Sequence, residues 1–289
     1  MGAPAKPEVA GYYHEPSGSI TYLVVDPDTN RAAVIDPVLD YDEKSARVST
    51  EAVDALLAEI RRGNLTVDWI LDTHPHADHL SGMAHLKDQL GAPTAIGAKI
   101  VDVQKLWRDI YNLPNLPTDG KQWDRLFADG DTFNIGSLPA RVMHSPGHTL
   151  ASITYVIGDA VFMHDTLFQP DTGSARCDFP GGNAGELYDS ISAILALPDE
   201  TRLFTGHDYR QGSRTPQWQS TVAGQKRDNI HFRNNPSRDD YVRMREARDR
   251  TLPMPKLILH ALQVNLRAGD LPPPEENGRS YFKIPVNTL

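Results

Sequence analysis

Three histidines and one aspartate lie within seven residues, between a short apolar run and a helical pattern. This cluster, THPHADH at residues 73–79, follows the apolar run 67–71 and precedes apolar positions at helical spacing over 81–90. Composition alone would place about 0.2 histidine in a window of six residues. We therefore predict a loop between a strand and a helix whose histidines have a specific chemical role.

The spacing within the cluster suits metal binding. Residues two apart on an extended segment point the same way, so His74 and His76 share one face. The following turn brings Asp78 and His79 round to an adjacent face. Imidazole nitrogens and carboxylate oxygens are suitable ligands for zinc, iron or manganese without any thiolate. One short loop could thus serve two neighbouring metal positions.

Three further residues of the same chemical types each follow a β-rich run: His148, Asp165 and His207. Because polar residues at strand ends often converge on one edge of a fold, we expect them to join the first cluster. The remaining histidines lack this arrangement and are predicted to be ordinary surface or core residues. They are His14, His85, His144, His164, His231 and His260.

Short β-rich runs and helical patterns alternate along the rest of the chain. Strands are predicted at residues 20–25, 32–35, 140–144, 152–157, 160–163 and 202–205. Helices are predicted at 50–62, with Thr50 as N-cap, and at 186–197, 239–250 and 255–267. Residues 99–125 mix helical and loop patterns and are predicted to form a partly ordered insertion.

Composition excludes several classes of function and partner. With a hydrophobic content of 39%, a chain of 289 residues can bury a core without disulfides or a structural metal. A net charge of −9 argues against binding to a phosphate backbone, so no nucleic acid is expected as a partner. The single cysteine, Cys177, and the absence of a long apolar run indicate a cytoplasmic protein without membrane contact.

The string from Thr73 to His79, followed in order by His148, Asp165 and His207, resembles the metallo-β-lactamase superfamily and its THxHxDH motif. The resemblance covers roughly residues 10–210. It implies an α/β (α+β) fold, an αββα sandwich of two mixed sheets with helices outside and a metal site along one edge. We expect residues 1–289 to form a single domain in which a C-terminal helical extension, about 211–289, packs on the core.

Two branches of that superfamily are compatible with the motif, and both act on glutathione-linked sulfur compounds. The glyoxalase II branch hydrolyses thioesters with two metals, whereas the ETHE1-like persulfide dioxygenase branch oxidises glutathione persulfide with dioxygen to sulfite. The motif alone does not separate them. The segments THPHADHLSG, SPGHT, TGSARCDF and GHDY resemble the persulfide dioxygenase patterns, and so that branch is favoured.

Under the persulfide dioxygenase resemblance, His74, His148 and Asp165 are the ligands of one ferrous iron (Fe²⁺) per chain. Three ligands on one face leave positions open for dioxygen and a substrate sulfur. The resemblance places four other residues in supporting positions around these ligands: His76, Asp78, His79 and His207. Under the hydrolase alternative, those four are direct ligands and the site holds two Zn²⁺.

Four residues near the predicted site have open roles. Arg176 could bind a substrate carboxylate through two parallel hydrogen bonds or form a surface ion pair. Tyr209 could donate a hydrogen bond near the open coordination position or only pack. Asp178 resembles a family position that supports the site. Cys177 could take up a persulfide, although a small buried apolar role is the simpler interpretation.

The rest of the chain leaves the substrate carrier and the assembly open. An insertion around 103–127 and the long C-terminal extension leave the shape of the pocket open. The Arg- and Asn-rich segment 211–238 could line the entrance for an acidic thiol or form a solvated, charged loop. Coenzyme A or another thiol could replace glutathione. A homodimer is compatible with the apolar residues of these segments. A non-enzymatic scaffold that holds a structural metal is a further alternative. Such a protein would have to carry the complete set of metal ligands for no catalytic reason.

Overall fold

The computed structural model describes residues 6–288, so residues 1–5 and 289 of the predicted domain lie outside the described part. The strands are β1 (Glu8–His14), β2 (Ser19–Asp26), β3 (Arg31–Ile35), β4 (Val38–Asp42), β5 (Arg47–Ser49), β6 (Thr66–Leu71), β7 (Leu80–Ser81), β8 (Thr94–Gly97), β9 (Arg125–Phe127), β10 (Thr132–Ile135), β11 (Leu138–His144), β12 (Ile153–Ile157), β13 (Ala160–His164), β14 (Arg202–Thr205) and β15 (Gln219–Thr221). The helices are α1 (Glu51–Arg62), α2 (Met83–Leu90), α3 (Ile100–Tyr111), α4 (Ala184–Leu195), α5 (Val222–Asp228), α6 (Arg238–Asp249) and α7 (Ile258–Asn265).

Two six-stranded sheets and one small sheet organise these strands. The first sheet has the order β1-β2-β3-β6-β8-β9, and the second has the order β10-β11-β12-β13-β14-β15. The first combines an antiparallel β1-β2-β3 meander with parallel β3, β6, β8 and β9. The second is antiparallel except for the β13–β14 pair. Both sheets are therefore mixed, as predicted.

Alternating side chains of the two sheets build separate apolar layers. Tyr22 of β2 and Tyr155 of β12 lie in the layer between the sheets, whereas Leu23, the next residue after Tyr22, faces the outer layer of helices α1, α2, α3 and α7. On the other side, Leu203 of β14 packs with Ile191 of α4. This arrangement of helix, sheet, sheet and helix layers confirms the predicted αββα sandwich.

The predicted elements are present with small shifts at their ends. Thr50 is the N-cap residue of α1, as predicted, but it makes no side-chain capping bond: its hydroxyl donates to Asp54 Oδ2 at 2.6 Å and accepts no hydrogen bond from a helix amide. Helix α4 begins two residues earlier than predicted, because the side chain of Asn183 accepts from the amide of Glu186 at 3.0 Å and caps its first turn.

The insertion and the end of the chain pack against each other. Within the predicted insertion, α3 is a regular helix that buries Trp107 and Tyr111. Its Gln104 Nε2 donates to the carbonyl of Leu266 at 3.0 Å, and Tyr111 Oη donates to the carbonyl of Ile258 at 3.2 Å. None of the helices within residues 6–288 has the length and apolarity needed to cross a bilayer.

Candidate metal centre

The histidine loop, residues 73–79, lies between β6 and β7, and a buried aspartate at the end of β3 organises it. Asp36 Oδ1 accepts from the amide of Thr73 at 2.7 Å and from His76 Nε2 at 3.0 Å, while Oδ2 accepts from the Thr73 hydroxyl at 3.0 Å. Burial, together with the nearby Asp72, raises the pKa of Asp36 well above its usual range. From sequence, Asp36 is only the residue after the predicted strand 32–35, and it is not among the predicted site residues.

Hydrogen bonds fix which nitrogen of each loop histidine is free. His74 Nδ1 donates to the Thr73 hydroxyl at 3.0 Å, and His79 Nδ1 donates to Asp78 Oδ2 at 2.7 Å. Within the described residues, His74 Nε2, His76 Nδ1 and His79 Nε2 are buried without a hydrogen-bond partner. Because an unpaired buried nitrogen is costly, these atoms are suited to metal coordination.

His148 joins the loop histidines from the opposite sheet. It lies in the loop after β11, where its Nδ1 donates to the carbonyl of Arg176 at 2.7 Å and leaves Nε2 free. Gly147 has φ +125°, and a Cβ there would overlap the backbone of Leu187 in α4. Only glycine lets this loop approach α4 so closely, and the approach places His148 5.2 Å from His74, centroid to centroid.

Asp165, which follows β13, lies at the centre of the cluster. Its Oδ2 is 3.6 Å from His148 Nε2 and 4.0 Å from His74 Nε2, while Oδ1 is 3.6 Å from His207 Nε2. Burial alone would raise the pKa of Asp165, but His207 and His164 outweigh it and hold the pKa well below its usual range. The carboxylate is thus ionised and faces histidines on two sides.

Asp78 and His207 form the other side of the cluster. Asp78 Oδ2 accepts from the Ser19 hydroxyl at 2.6 Å and lies 3.4 Å from His207 Nε2. Burial lowers the pKa of His207, but the carboxylates of Asp165 and Asp78 outweigh burial and raise this pKa to about 9. All seven residues predicted for the metal site therefore converge.

His164 is an eighth member of the cluster, and its assignment to the ordinary histidines was wrong. Its Nδ1 lies 3.1 Å from Asp165 Oδ1 and its Nε2 lies 3.3 Å from Asp36 Oδ2. The ring packs 4.7 Å from that of His74, and a Cβ on Gly206 would overlap it. Its position next to Asp165 was the available sequence signal. The other five histidines of that set lie outside the cluster.

The donor atoms fit a metal ion in several combinations. Groups whose ligand atoms lie within 4.8 Å of one another include His74 with His148 and Asp165, His76 with Asp78 and His79, and His164 with Asp165 and His207. The donors are imidazole nitrogens and carboxylate oxygens, which suit iron, zinc or manganese. The described cluster can therefore bind metal, and its chemistry admits one ion or two.

A cavity of about 660 Å³ opens onto His148, Asp165 and His207. At its wall, the Tyr209 ring stacks on His207 with centroids 5.5 Å apart and planes 6° apart. The guanidinium of Arg176 donates from Nε and Nη2 to the two carboxylate oxygens of Asp178, each at 2.7 Å. The two residues therefore form a bidentate ion pair beside the cavity.

Cys177 does not line this cavity among the described residues. Its Sγ donates to Asp249 Oδ2 at 3.4 Å, and burial together with Asp249 raises the pKa of the thiol. A thiol with a raised pKa is a poor nucleophile. The structure therefore favours the simpler interpretation, in which Cys177 is a small buried residue that does not take up a persulfide.

Of the two interpretations of segment 211–238, the entrance role does not apply to its arginines, since none of them lines the cavity among the described residues. Arg214 pairs with Asp171 and Asp208, and Arg238 pairs with Asp189. Of this segment, the cavity lining includes Gln211. The cations at the cavity come instead from other segments: Lys44, Arg176, Arg245, Arg248 and Lys256.

Comparisons with known proteins agree with this geometry. The family description "Metallo-beta-lactamase superfamily" matches residues 15–207, a span that includes all seven predicted metal-site residues. A beta-lactamase hydrolase-like protein of Xylella fastidiosa is 61% identical over 98% of this chain, which spans 65% of that relative's length. Glyoxylase B2 of Dictyostelium discoideum is 45% identical over 100% of this chain and 99% of its own.

A solved structure adds a second line of similarity. The crystal structure of ETHE1 from Myxococcus xanthus superposes with a TM-score of 0.73 and 31% sequence identity. The superposition covers 91% of this chain and 100% of that one. The similarity therefore extends beyond the span matched by the family description.

Proposed function

This chain belongs to the metallo-beta-lactamase superfamily, and from its site we propose that it is a persulfide dioxygenase. The reaction is the oxidation of glutathione persulfide by dioxygen and water to sulfite and glutathione. One Asp165 oxygen facing the free nitrogens of both His74 and His148 carries the proposal. Two imidazoles and one carboxylate are the donor set that non-haem iron oxygenases use, and they leave the positions opposite them open.

Ferrous iron at these three donors supplies the redox chemistry that dioxygen needs, which zinc cannot supply. The protein's own contribution is to hold the donors in one tautomer each. The Thr73 hydroxyl accepts a hydrogen bond from His74 Nδ1, and the Arg176 carbonyl accepts one from His148 Nδ1. The Nε2 atom of each ring is thereby left as the nitrogen that faces Asp165 and is available to the ion.

The hydrogen bonds of Asp78 favour one ion over two. Asp78 Oδ2, which a second ion would need, already accepts hydrogen bonds from Ser19 and His79. The bond from His76 Nε2 to Asp36 fixes the His76 ring but leaves its Nδ1 unpaired, so this bond is compatible with either number of ions. We propose that these groups, with His207, orient the iron ligands and set the charge of the site without binding a second ion.

We assign substrate binding to the cavity beside Asp165. Glutathione persulfide carries two carboxylates, and the cavity presents several cations at its wall, among them Lys44 and Arg248. Arg176, which is held by Asp178, and Tyr209 line the same cavity as these cations and Asp165. We propose that Arg176 and Tyr209 position the substrate and that Asp178 fixes the guanidinium. We further propose that the site binds dioxygen together with the substrate. We also propose that the chain forms a homodimer.

A thioester hydrolase of the glyoxalase II type is the second candidate. All seven ligands that two Zn²⁺ would need are present, and the Dictyostelium relative is named Glyoxylase B2. In that reaction, the groups around Asp78 would release their internal hydrogen bonds and bind the second ion. The likeness to ETHE1 and the hydrogen-bonded state of Asp78 favour the dioxygenase.

Metal analysis of protein purified without added metal, together with an oxygen electrode, separates the two candidates. We expect about one iron per chain and oxygen consumption with glutathione persulfide, both lost in His148→Ala. Two zinc ions per chain, with rapid cleavage of S-lactoylglutathione and no oxygen uptake, would show that the dioxygenase proposal is wrong.

A further inference from the structure

One peptide group connects the candidate ligand His148 to a buried carboxylate. The carbonyl of Arg176 accepts from His148 Nδ1 at 2.7 Å. The amide of the same peptide, that of Cys177, donates to Asp249 Oδ2 at 3.0 Å. A peptide group with an ionised acceptor at its N–H becomes a stronger acceptor at its C=O, since hydrogen bonds in a chain polarise one another.

The Asp249 carboxylate is held in place by an ion pair within α6. It is 2% exposed and lies one helical turn after the equally buried Arg245 on α6. Arg245 Nε donates to Asp249 Oδ1 at 2.9 Å, and Nη1 donates to the carbonyl of Ser174 at 3.0 Å. The ion pair therefore holds both the carboxylate and the segment that contains the peptide.

We propose that Asp249 is a positioning residue for metal binding. Through the peptide between Arg176 and Cys177, it orients the carbonyl that selects the His148 tautomer and increases the basicity of His148 Nε2. A carboxylate that accepts a hydrogen bond directly from a metal-binding histidine has this effect. Here the peptide between Arg176 and Cys177 lies between the carboxylate and the histidine. The proposal rests on His148 as a ligand, a role that both candidate reactions share.

The test compares Co²⁺ affinity in Asp249→Asn and wild type, measured on metal-free protein by competition with a chromophoric chelator. We expect the Kd for Co²⁺ to weaken about 10- to 100-fold, the effect of losing a residue that orients a metal ligand. The matched control is Tyr241→Phe, on the same face of α6. The Tyr241 hydroxyl hydrogen-bonds with the Ser174 hydroxyl at 2.8 Å and, among the described residues, makes no hydrogen bond to the peptide between Arg176 and Cys177. The control should lower Tm and leave the Kd unchanged.

A double variant separates orientation of the ligand from stability of the fold. Asp249→Asn leaves Arg245 buried without its partner, whereas Arg245→Met with Asp249→Leu removes both charges. We expect the double variant to recover much of the lost Tm while Co²⁺ binding stays weak.

Three results would overturn the proposal: a wild-type Kd in Asp249→Asn, an equal loss of affinity in Tyr241→Phe, or recovery of affinity together with Tm in the double variant. Because none of these measurements uses oxygen or a thiol, failure of the dioxygenase proposal would be seen separately in the oxygen-electrode assay.

Discussion

Asn265, at the end of the last helix, donates its side-chain amide to the carbonyl of His76 at 2.8 Å. The same amide nitrogen lies 2.8 Å from the carbonyl of His79, and its oxygen accepts from the amide of Ser81 at 2.8 Å. The side chain is 1% exposed, so each bond is shielded from water. The C-terminal segment thus holds the backbone of the metal-binding loop.

Replacing Asn265 by alanine should therefore destabilise the protein markedly. Three buried backbone groups would lose their partner, at a cost of about 2–4 kcal/mol in the free energy of unfolding. Urea titration followed by circular dichroism measures this cost. Asn277→Ala, in an exposed part of the same C-terminal segment, is the control and should change the free energy by less than about 0.5 kcal/mol. Equal effects of the two variants would contradict the role of Asn265.

Asp26 should support stability at neutral pH and lose that effect in acid. Burial raises the pKa of Asp26, but hydrogen bonds from Thr29 and Ser137 outweigh burial and lower it to about 2. A lowered folded-state pKa stabilises above the unfolded value near 4, and the stabilisation disappears as pH falls towards 2. Asp26→Asn should lower the free energy of unfolding by about 1–3 kcal/mol relative to wild type at pH 7 and by much less at pH 2.

Unfolding of Asp26→Asn and wild type at several pH values checks this prediction. Asp28→Asn, an exposed neighbour, is the control. A difference between wild type and Asp26→Asn that stays constant from pH 7 to 2 would show that the carboxylate charge has no part in it.

Removal of metal should leave the fold intact but lower Tm. The apolar layers between and outside the sheets do not include the metal donors, so the core persists without the ion. A metal present at 100 times its Kd adds about 2.7 kcal/mol, which corresponds to about 5–10 °C in Tm for a chain of this size. Thermal melts with and without chelator, followed by far-ultraviolet circular dichroism, test this. Loss of the folded spectrum at 25 °C would contradict it.

Cys177→Ser should retain full turnover. The thiol contacts Asp249 and lies outside the lining of the catalytic cavity, and a serine hydroxyl can donate to the same carboxylate. Steady-state assays of wild type and variant under reducing conditions decide the question. A loss of kcat greater than about tenfold, with unchanged metal content, would restore a chemical role for the sulfur.

Arg176→Lys should raise KM more than it lowers kcat. A lysine cannot make the two parallel bonds to Asp178, so the cation would no longer be fixed beside the cavity. We expect KM for the anionic thiol substrate to rise about tenfold. Arg227→Lys, whose exposed side chain pairs with Asp228, is the control. An unchanged KM in Arg176→Lys would remove Arg176 from substrate binding.

The strands, the helices and the histidine loop were predictable because they leave short-range signals, whereas the αββα sandwich was implied by the resemblance to the metallo-β-lactamase superfamily. Apolar alternation marks strands such as β2, and the crowding of His74, His76 and His79 is improbable by chance. Two members of the site were not predictable in this way. Asp36 acts through hydrogen bonds to a loop 37 residues further along the chain. His164 has a left-handed φ of 34° that turns its ring among the other imidazoles.

Contacts between distant parts of the chain account for the remaining differences. Composition left two interpretations of the Arg-rich segment 211–238, an entrance lining and a solvated charged loop, and two of its arginines, Arg214 and Arg238, pair with carboxylates from other segments. Composition gives the number of cations and says nothing of their partners. The supports from Asn265 and Asp249 are of the same kind, because each is a single polar side chain in a helix whose role depends on tertiary packing.

The bond between Asn265 and His79 spans 186 residues of sequence, which bears on the order in which the site matures. During synthesis the histidine loop leaves the ribosome long before the helix that holds it. A loop closure of this length forms late, because its entropic cost is recovered only once the intervening sheets have packed. The high-affinity form of the metal centre should therefore arise only after the helix that contains Asn265 has emerged and packed, so that tight binding of the ion follows folding of the sheets between them.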